Sequence, residues 1–99
     1  MKSGYKIHWT PHALAELEQT IEYLENNFTK KEISNLVLKI EETIRLISQN
    51  PDLFPKSEME NIYRVPVLKF NTMYYRVKAG RIEILSFFSN RQNPGRRHI

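Results

Sequence analysis

The sequence has no cysteine, only three glycines in 99 residues, and a single tryptophan. It also has no apolar run near the roughly 18 residues that a membrane-spanning helix needs. Without cysteine there are no disulfides, thiolate metal sites or cysteine nucleophiles, which suits a reducing cytoplasm. Three glycines are too few for a phosphate-cradling loop, a nucleophile elbow or a dinucleotide fingerprint. No cationic-then-apolar leader opens the chain, so no signal peptide is expected. His8 and His12 are four apart, but Thr10-Pro11 between them puts them on different elements, so neither a metal site nor a cofactor is expected. What remains is the composition of one small domain spanning residues 1–99, 40% hydrophobic and 26% charged.

The formal charge of +4 hides an asymmetry. Residues 1–60 hold seven Lys/Arg against ten acids, a net of −3. Residues 61–99 hold eight, with Glu83 the only acid, a net of +7. A one-signed basic region attracts phosphates or an acidic protein segment.

Tyr5 to Trp9 alternates apolar and polar residues and reads as a short strand. Thr10 is a good helix N-cap and Pro11 suits the first helical position, where its missing N–H costs nothing. Leu14, Leu17, Ile21, Leu24 and Phe28 then form an apolar stripe, with Glu16, Glu18, Glu22 and Glu25 on a face expected to be solvated. Thr29 and Glu32 make a capping box for a second helix. Its stripe of Ile33, Leu36, Val37, Ile40, Ile44 and Ile47 is widened by Leu38 and Leu46, which predicts burial over more of its circumference. Asn50-Pro51 ends it, and a loop runs to about Asn61.

Three strand candidates follow. Tyr63–Leu68 contains Pro66, which confines it to an edge or a bulge. Thr72–Val77 alternates, and Lys78-Ala79-Gly80 forms a hairpin turn. Arg81–Ser89 is apolar enough on both faces to be central, and from about residue 90 the chain reads as an irregular tail. The order β-α-α-β-β-β predicts an α+β domain: an antiparallel sheet with an N-terminal helical hairpin packed on one face. Cations interleaved with aromatics, here Arg64, Lys69, Arg76, Arg81 and Arg91 among Tyr63, Tyr74, Tyr75, Phe87 and Phe88, suit an anionic partner and can bind single-stranded nucleic acid. Tyr75, Phe87 and Phe88 are expected in the core.

The residues Ile7-His8-Trp9-Thr10-Pro11, Ala13, Glu16-Leu17, Asn50-Pro51 and Ile62-Tyr63-Arg64-Val65 resemble the RelE/ParE superfamily of type II toxin–antitoxin toxins. Tyr74-Tyr75-Arg76-Val77, Ile82–Leu85 and Asn90–Pro94 continue the resemblance, which covers nearly the whole chain. It implies the fold above, a cytoplasmic toxin that inhibits growth, and a hetero-oligomer with a cognate antitoxin whose acidic amphipathic segment meets the basic half. Two branches differ in target. RelE-like members cleave ribosome-bound mRNA with cations on the sheet and a C-terminal Tyr or His. Here that pattern matches Arg64 and Arg91, whereas its other cations fall on Pro66 and Thr72 and its tyrosine on Arg97. Candidate catalytic residues on that reading are Arg64, Arg91, Lys69 and His98, with Tyr63 beside them. ParE-like members bind DNA gyrase instead, and the long helices and Asn-Arg-x-x-Pro ending are more similar to that branch. The candidate target-binding residues are Arg64, Arg76, Arg81, Arg91, Arg96 and Arg97. A ParE-like gyrase binder is the leading expectation, an endoribonuclease the alternative, and an inactive antitoxin-binding relative the third.

Overall fold

A computed structural model describes residues 4–58 and 61–90. Its elements are β1 (Lys6–Trp9), α1 (Pro11–Asn27), α2 (Lys30–Gln49), β2 (Tyr63–Val67), β3 (Asn71–Lys78) and β4 (Arg81–Ser89). The α+β element order is the one expected. The strands form one sheet in the order β1-β4-β3-β2, so Pro66 does sit on an edge strand and β4 is central.

One feature of the sheet departs from the expectation: it is mixed, not wholly antiparallel. β2, β3 and β4 form an antiparallel meander, whereas β1 lies parallel to β4, with Lys6 opposite Arg81 and Trp9 opposite Ile84. The direction follows from the path of the chain. α1 carries on past the end of β1, its Glu16 beside Phe87, and α2 returns so that Ser48 accepts a bond from the Tyr5 N–H. β2 therefore starts from the same end as β1, and two antiparallel steps later β4 again runs with β1.

β1 is too short to cover β4, pairing only with residues 81–84. α1 completes the edge. The Thr10 N–H and hydroxyl both donate to the Ile84 carbonyl, at 3.1 and 2.8 Å. Beyond them Glu16 Oε1 accepts from the Phe87 N–H and the Ser86 hydroxyl, each at 2.7 Å. Glu16 is thus a structural acceptor and not part of a solvated acidic face. At the other edge, Lys56 bridges to Tyr63 and the Arg64 N–H donates to the Pro55 carbonyl, so a loop segment covers β2. The stretch of β4 beyond β1 and the start of β2 thus have partners for their backbone groups, which blunts edge-to-edge association there.

One face of the sheet packs on the helices. Val65, Val67, Met73, Tyr75, Ile82, Ile84 and Phe87 are buried there with Ala13, Leu24, Leu36, Ile40 and Ile47. Ile84 and Phe87 are three apart, yet both face the helices. The register shift beside Tyr74/Tyr75 makes this possible: Tyr75 pairs with Ile84 and Tyr74 with Ser86, leaving Leu85 as an extra bulged residue. At the far end Ala79 and Gly80 both take positive φ, 54° and 77°, as a two-residue hairpin loop of type I′ requires.

The helices correct three local expectations. In α1 the buried positions are Ala13, Thr20 and Leu24, while Leu14 and Phe28 are exposed. Small Ala13 and Thr20, whose hydroxyl is satisfied by the Glu16 carbonyl, let the helix approach the sheet. In α2 the residues expected to widen the stripe are not covered, Leu46 being exposed and Leu38 62% accessible, and Val37 of the stripe itself is exposed. Only Leu36, Ile40, Thr43 and Ile47 are buried, a stripe as narrow as that of α1. Thr29 does occupy the N-cap of α2, but its side chain makes no cap bond; the Glu32 N–H instead donates to the Thr29 carbonyl.

Candidate functional site

Among the described residues the other face of the sheet carries no helix, and the register arranges its side chains in rows across the strands. Lys78, Arg81 and Lys6 are aligned at one end, followed by Arg76, Glu83 and His8. Arg64, Tyr74 and Ser86 make the third row, and Pro66, Thr72 and Phe88 the fourth. The charge asymmetry of the sequence therefore becomes a spatial one: among the described strand residues, five Lys/Arg side chains share this face with one acid, Glu83.

That acid is the organising group of the first two rows. Glu83 Oε1 accepts from Arg76 Nε at 2.8 Å and Oε2 from Arg81 Nη2 at 3.0 Å. Its side chain is only 8% accessible beneath guanidinium groups that are 42% and 51% accessible. The Arg76 hydrogen bond, supported by that of Arg81 and opposed by partial burial, holds the Glu83 carboxyl below its ordinary value of 4.5. The unfolded chain thus takes up this proton at a higher pH than the native protein does. The contribution of Glu83 to stability is present in full above about pH 4.5 and is lost as the pH falls through the lower folded value. Thermal melting of Glu83→Gln should accordingly vary less with pH than that of the parent in this acid range; parallel curves would show that the two arginines do not set its ionisation.

Arg64 stands differently. It makes no ion pair among the described residues, and with Tyr74, Lys56, Ser57 and Glu58 it lines an open cleft of about 540 Å³. Pro66 and Thr72, the positions where the nuclease pattern would place further cations, are direct cross-strand partners, and Phe88 adjoins Thr72. The fourth row therefore lacks positive charge altogether.

Several expected site residues are not brought together. Tyr63 points to the helix-facing side, stacked on Tyr75 with ring centroids 5.0 Å apart and planes 9° apart. Its hydroxyl donates to Asp52 Oδ1 at 2.5 Å, and this bond keeps the phenol protonated to above its ordinary range. It is a loop anchor, not a partner of Arg64. Lys69 lies in the β2–β3 turn, 5.9 Å from the Phe70 ring centroid, lining a separate cavity of about 230 Å³ with Tyr23, Leu36 and Leu68. Of the three aromatics expected in the core, Tyr75 and Phe87 are there, whereas Phe88 is half-buried on the open face. Arg91, Arg96, Arg97 and His98 lie outside the described residues.

Sequence reading missed Lys56 and Glu58, which belong to a proline-bounded loop. Nothing in their local pattern signals that Lys56 bridges to Tyr63 and so brings the loop beside Arg64. Among the described residues no three His, Asp or Glu side chains cluster as a metal site, and no helix is long and apolar enough to cross a membrane.

Comparison with known proteins agrees with this geometry. The solved structure of the chromosomal ParDE toxin–antitoxin system of P. aeruginosa is similar at a TM-score of 0.72, with 19% identity over 86% of this chain and 95% of that one. A YoeB/ParE toxin from Agrobacterium tumefaciens aligns at 0.60, with 17% identity over 85% and 96% of the two chains. The YoeB–YefM complex from Staphylococcus aureus aligns at 0.56, with 23% identity over 84% and 93%. At these identities the likeness shows a shared fold. Among curated proteins no sequence matches. The family model of the ParE toxin of the type II toxin–antitoxin system parDE matches residues 7–94. With nearly the whole chain matched and the sheet, helices and basic face in place, this protein belongs to the ParE toxin family of type II toxin–antitoxin systems.

Proposed function

We propose that the protein arrests growth by binding DNA gyrase, and that a cognate antitoxin neutralises it through an acidic amphipathic segment. The observation that carries this reading is the fourth row of the open face. A nuclease of this superfamily needs several cations around the reacting phosphate, and Pro66, Thr72 and Phe88 supply none. A face with basic rows at one end and an uncharged row at the other suits recognition of a protein surface, where arginine anchors dominate binding energy.

One observation favours the alternative, ribosome-dependent mRNA cleavage. The cleft at Arg64 gathers a carboxylate, Glu58, with Lys56 and Tyr74. A base for the 2′-hydroxyl and cations for the phosphorane are what such a reaction requires. The two readings separate cleanly. Purified protein should inhibit gyrase supercoiling and leave ribosome-bound message intact; cleavage in the ribosomal A site, abolished by Glu58→Gln, would reverse the assignment.

Arg64 is the central residue in either case. As an interface arginine without an ion-pair partner among the described residues, its truncation should weaken target binding by about 2 kcal/mol, roughly 30-fold. Arg64→Ala, expressed at the parental level and with parental melting behaviour, should therefore relieve growth arrest. Undiminished arrest would remove Arg64 from the interface.

A further inference from the structure

We propose that the cavity between α1, the start of α2 and the β2–β3 turn binds a free aromatic α-amino acid whose ring carries a hydrogen-bonding group. This cavity lies on the helix side of the sheet, away from Arg64 and the basic rows, so the proposal goes beyond target binding and does not rest on it.

Three observations carry the proposal. First, the interior is apolar and sized for a ring. Leu24 and Leu36, both buried, line it with Tyr23 and Phe70, and its volume is about 230 Å³. A dry cavity of roughly 150 Å³ already accepts benzene, so this one has room for a ring with a polar substituent. Second, a buried hydroxyl in it has no partner. Ser89 is 9% accessible at the end of β4, and its side chain makes no hydrogen bond among the described residues. By contrast, the Thr20 hydroxyl donates to the Glu16 carbonyl at 3.0 Å, and Asn71 Nδ2 donates to the Val67 carbonyl at 3.1 Å. A buried polar group left unpaired is costly, so Ser89 calls for a ligand that brings a donor or acceptor, as a phenol or an indole N–H does.

Third, the lining includes one cation and one anion that make no ion pair among the described residues, Lys69 and Glu32. Both are exposed, Lys69 in the β2–β3 turn and Glu32 in the first turn of α2. Leu68 takes a φ of 59°, which a leucine adopts at a cost, so the backbone is strained where it brings Lys69 to the cavity. A zwitterion matches this pair, its carboxylate meeting Lys69 and its ammonium Glu32, with the ring among the leucines. An internal residue of a peptide has neither charge and would leave both groups unused.

Isothermal titration calorimetry of the full chain with L-tryptophan should show saturable one-site binding. Tryptamine lacks the carboxylate and indole-3-propionate lacks the ammonium, so each should bind roughly fivefold more weakly. Lys69→Ala should weaken L-tryptophan by a similar factor and leave tryptamine unchanged. Glu32→Gln should also weaken L-tryptophan but leave indole-3-propionate unchanged. Ser89→Ala should weaken L-tryptophan roughly fivefold, the worth of one hydrogen bond, and leave L-phenylalanine unaffected. Glu32 and Lys69 are exposed, so their variants keep the fold, and Lys31→Ala beside Glu32 should bind as the parent does. Absence of saturable binding by the parent would overturn the proposal, as would L-tryptophan affinities unmoved by both Lys69→Ala and Glu32→Gln. N-acetyl-L-tryptophanamide, an uncharged mimic of a peptide residue, binding as tightly as L-tryptophan would overturn it in favour of a partner's side chain. A negative gyrase assay would leave all of these outcomes unaffected.

Discussion

Tyr75→Ala should cost about 3–5 kcal/mol, the range for truncating a fully buried aromatic. In a domain of this size each kcal/mol lowers the melting temperature by roughly 4–8 °C, so the variant should be largely unfolded at growth temperature and non-toxic. The size of the effect comes from what Tyr75 joins. Its ring is fully buried in β3 against Tyr63, and its hydroxyl donates to the Pro51 carbonyl at 2.7 Å. Burial, and then the neighbouring Tyr63 and Asp52, raises its pKa well above the ordinary value, so the phenol remains a donor at any physiological pH. Tyr75→Phe keeps the ring and loses one hydrogen bond, so it should cost only about 1 kcal/mol. Denaturant melts of the two variants separate packing from the loop anchor; equal losses would mean that the hydroxyl, and not the ring, carries the stability.

The second large effect is expected at Glu16, in a helix whose other glutamates look identical in sequence. Glu16→Ala should cost about 2 kcal/mol, because it strips the acceptor from the Phe87 N–H and the Ser86 hydroxyl at a partly buried sheet edge. Both bonds go to the same oxygen, Oε1. Glu16→Gln retains that atom, so it should lose under about 1 kcal/mol, its remaining deficit being the 3.3 Å contact with exposed His12. Glu18→Ala and Glu22→Ala, on exposed positions, should stay within about 0.5 kcal/mol of the parent. A Glu16→Ala variant that melts with these controls would show that water replaces the carboxylate at the edge.

These two residues show what is legible in a sequence of this kind. Thr10-Pro11, the Ala79-Gly80 turn and Pro66 act through local sterics, so they announce a helix start, a hairpin and an edge strand without knowledge of neighbours. The direction of β1 and the role of Glu16 depend on elements some 70 positions away, and no local pattern encodes them. Period-2 reading also stops at the Leu85 bulge, which shifts Phe87 into the core and Phe88 out of it. At the site, the basic character of the sheet was plain from composition. The pairing of Arg76 and Arg81 on Glu83, and the arrival of Lys56 and Glu58 beside Arg64, were not, since they require cross-strand register and a loop bridge.

The parallel pairing of β1 with β4 has a consequence for how the toxin comes into being. The β1–β4 pairing joins residues 6–9 to residues 81–84, and Thr10 finds its acceptor 74 positions downstream. Such long-range closure is slow relative to local helix formation, because loop entropy is lost before any contact rewards it. A nascent chain can form α1 and α2 early, but the second row of the open face needs His8, Arg76 and Glu83 together. During translation the polypeptide is therefore a pair of helices without its basic face. The open face is complete only once the last strand has been made, so the target surface proposed here forms late and leaves an interval in which an antitoxin can already be present.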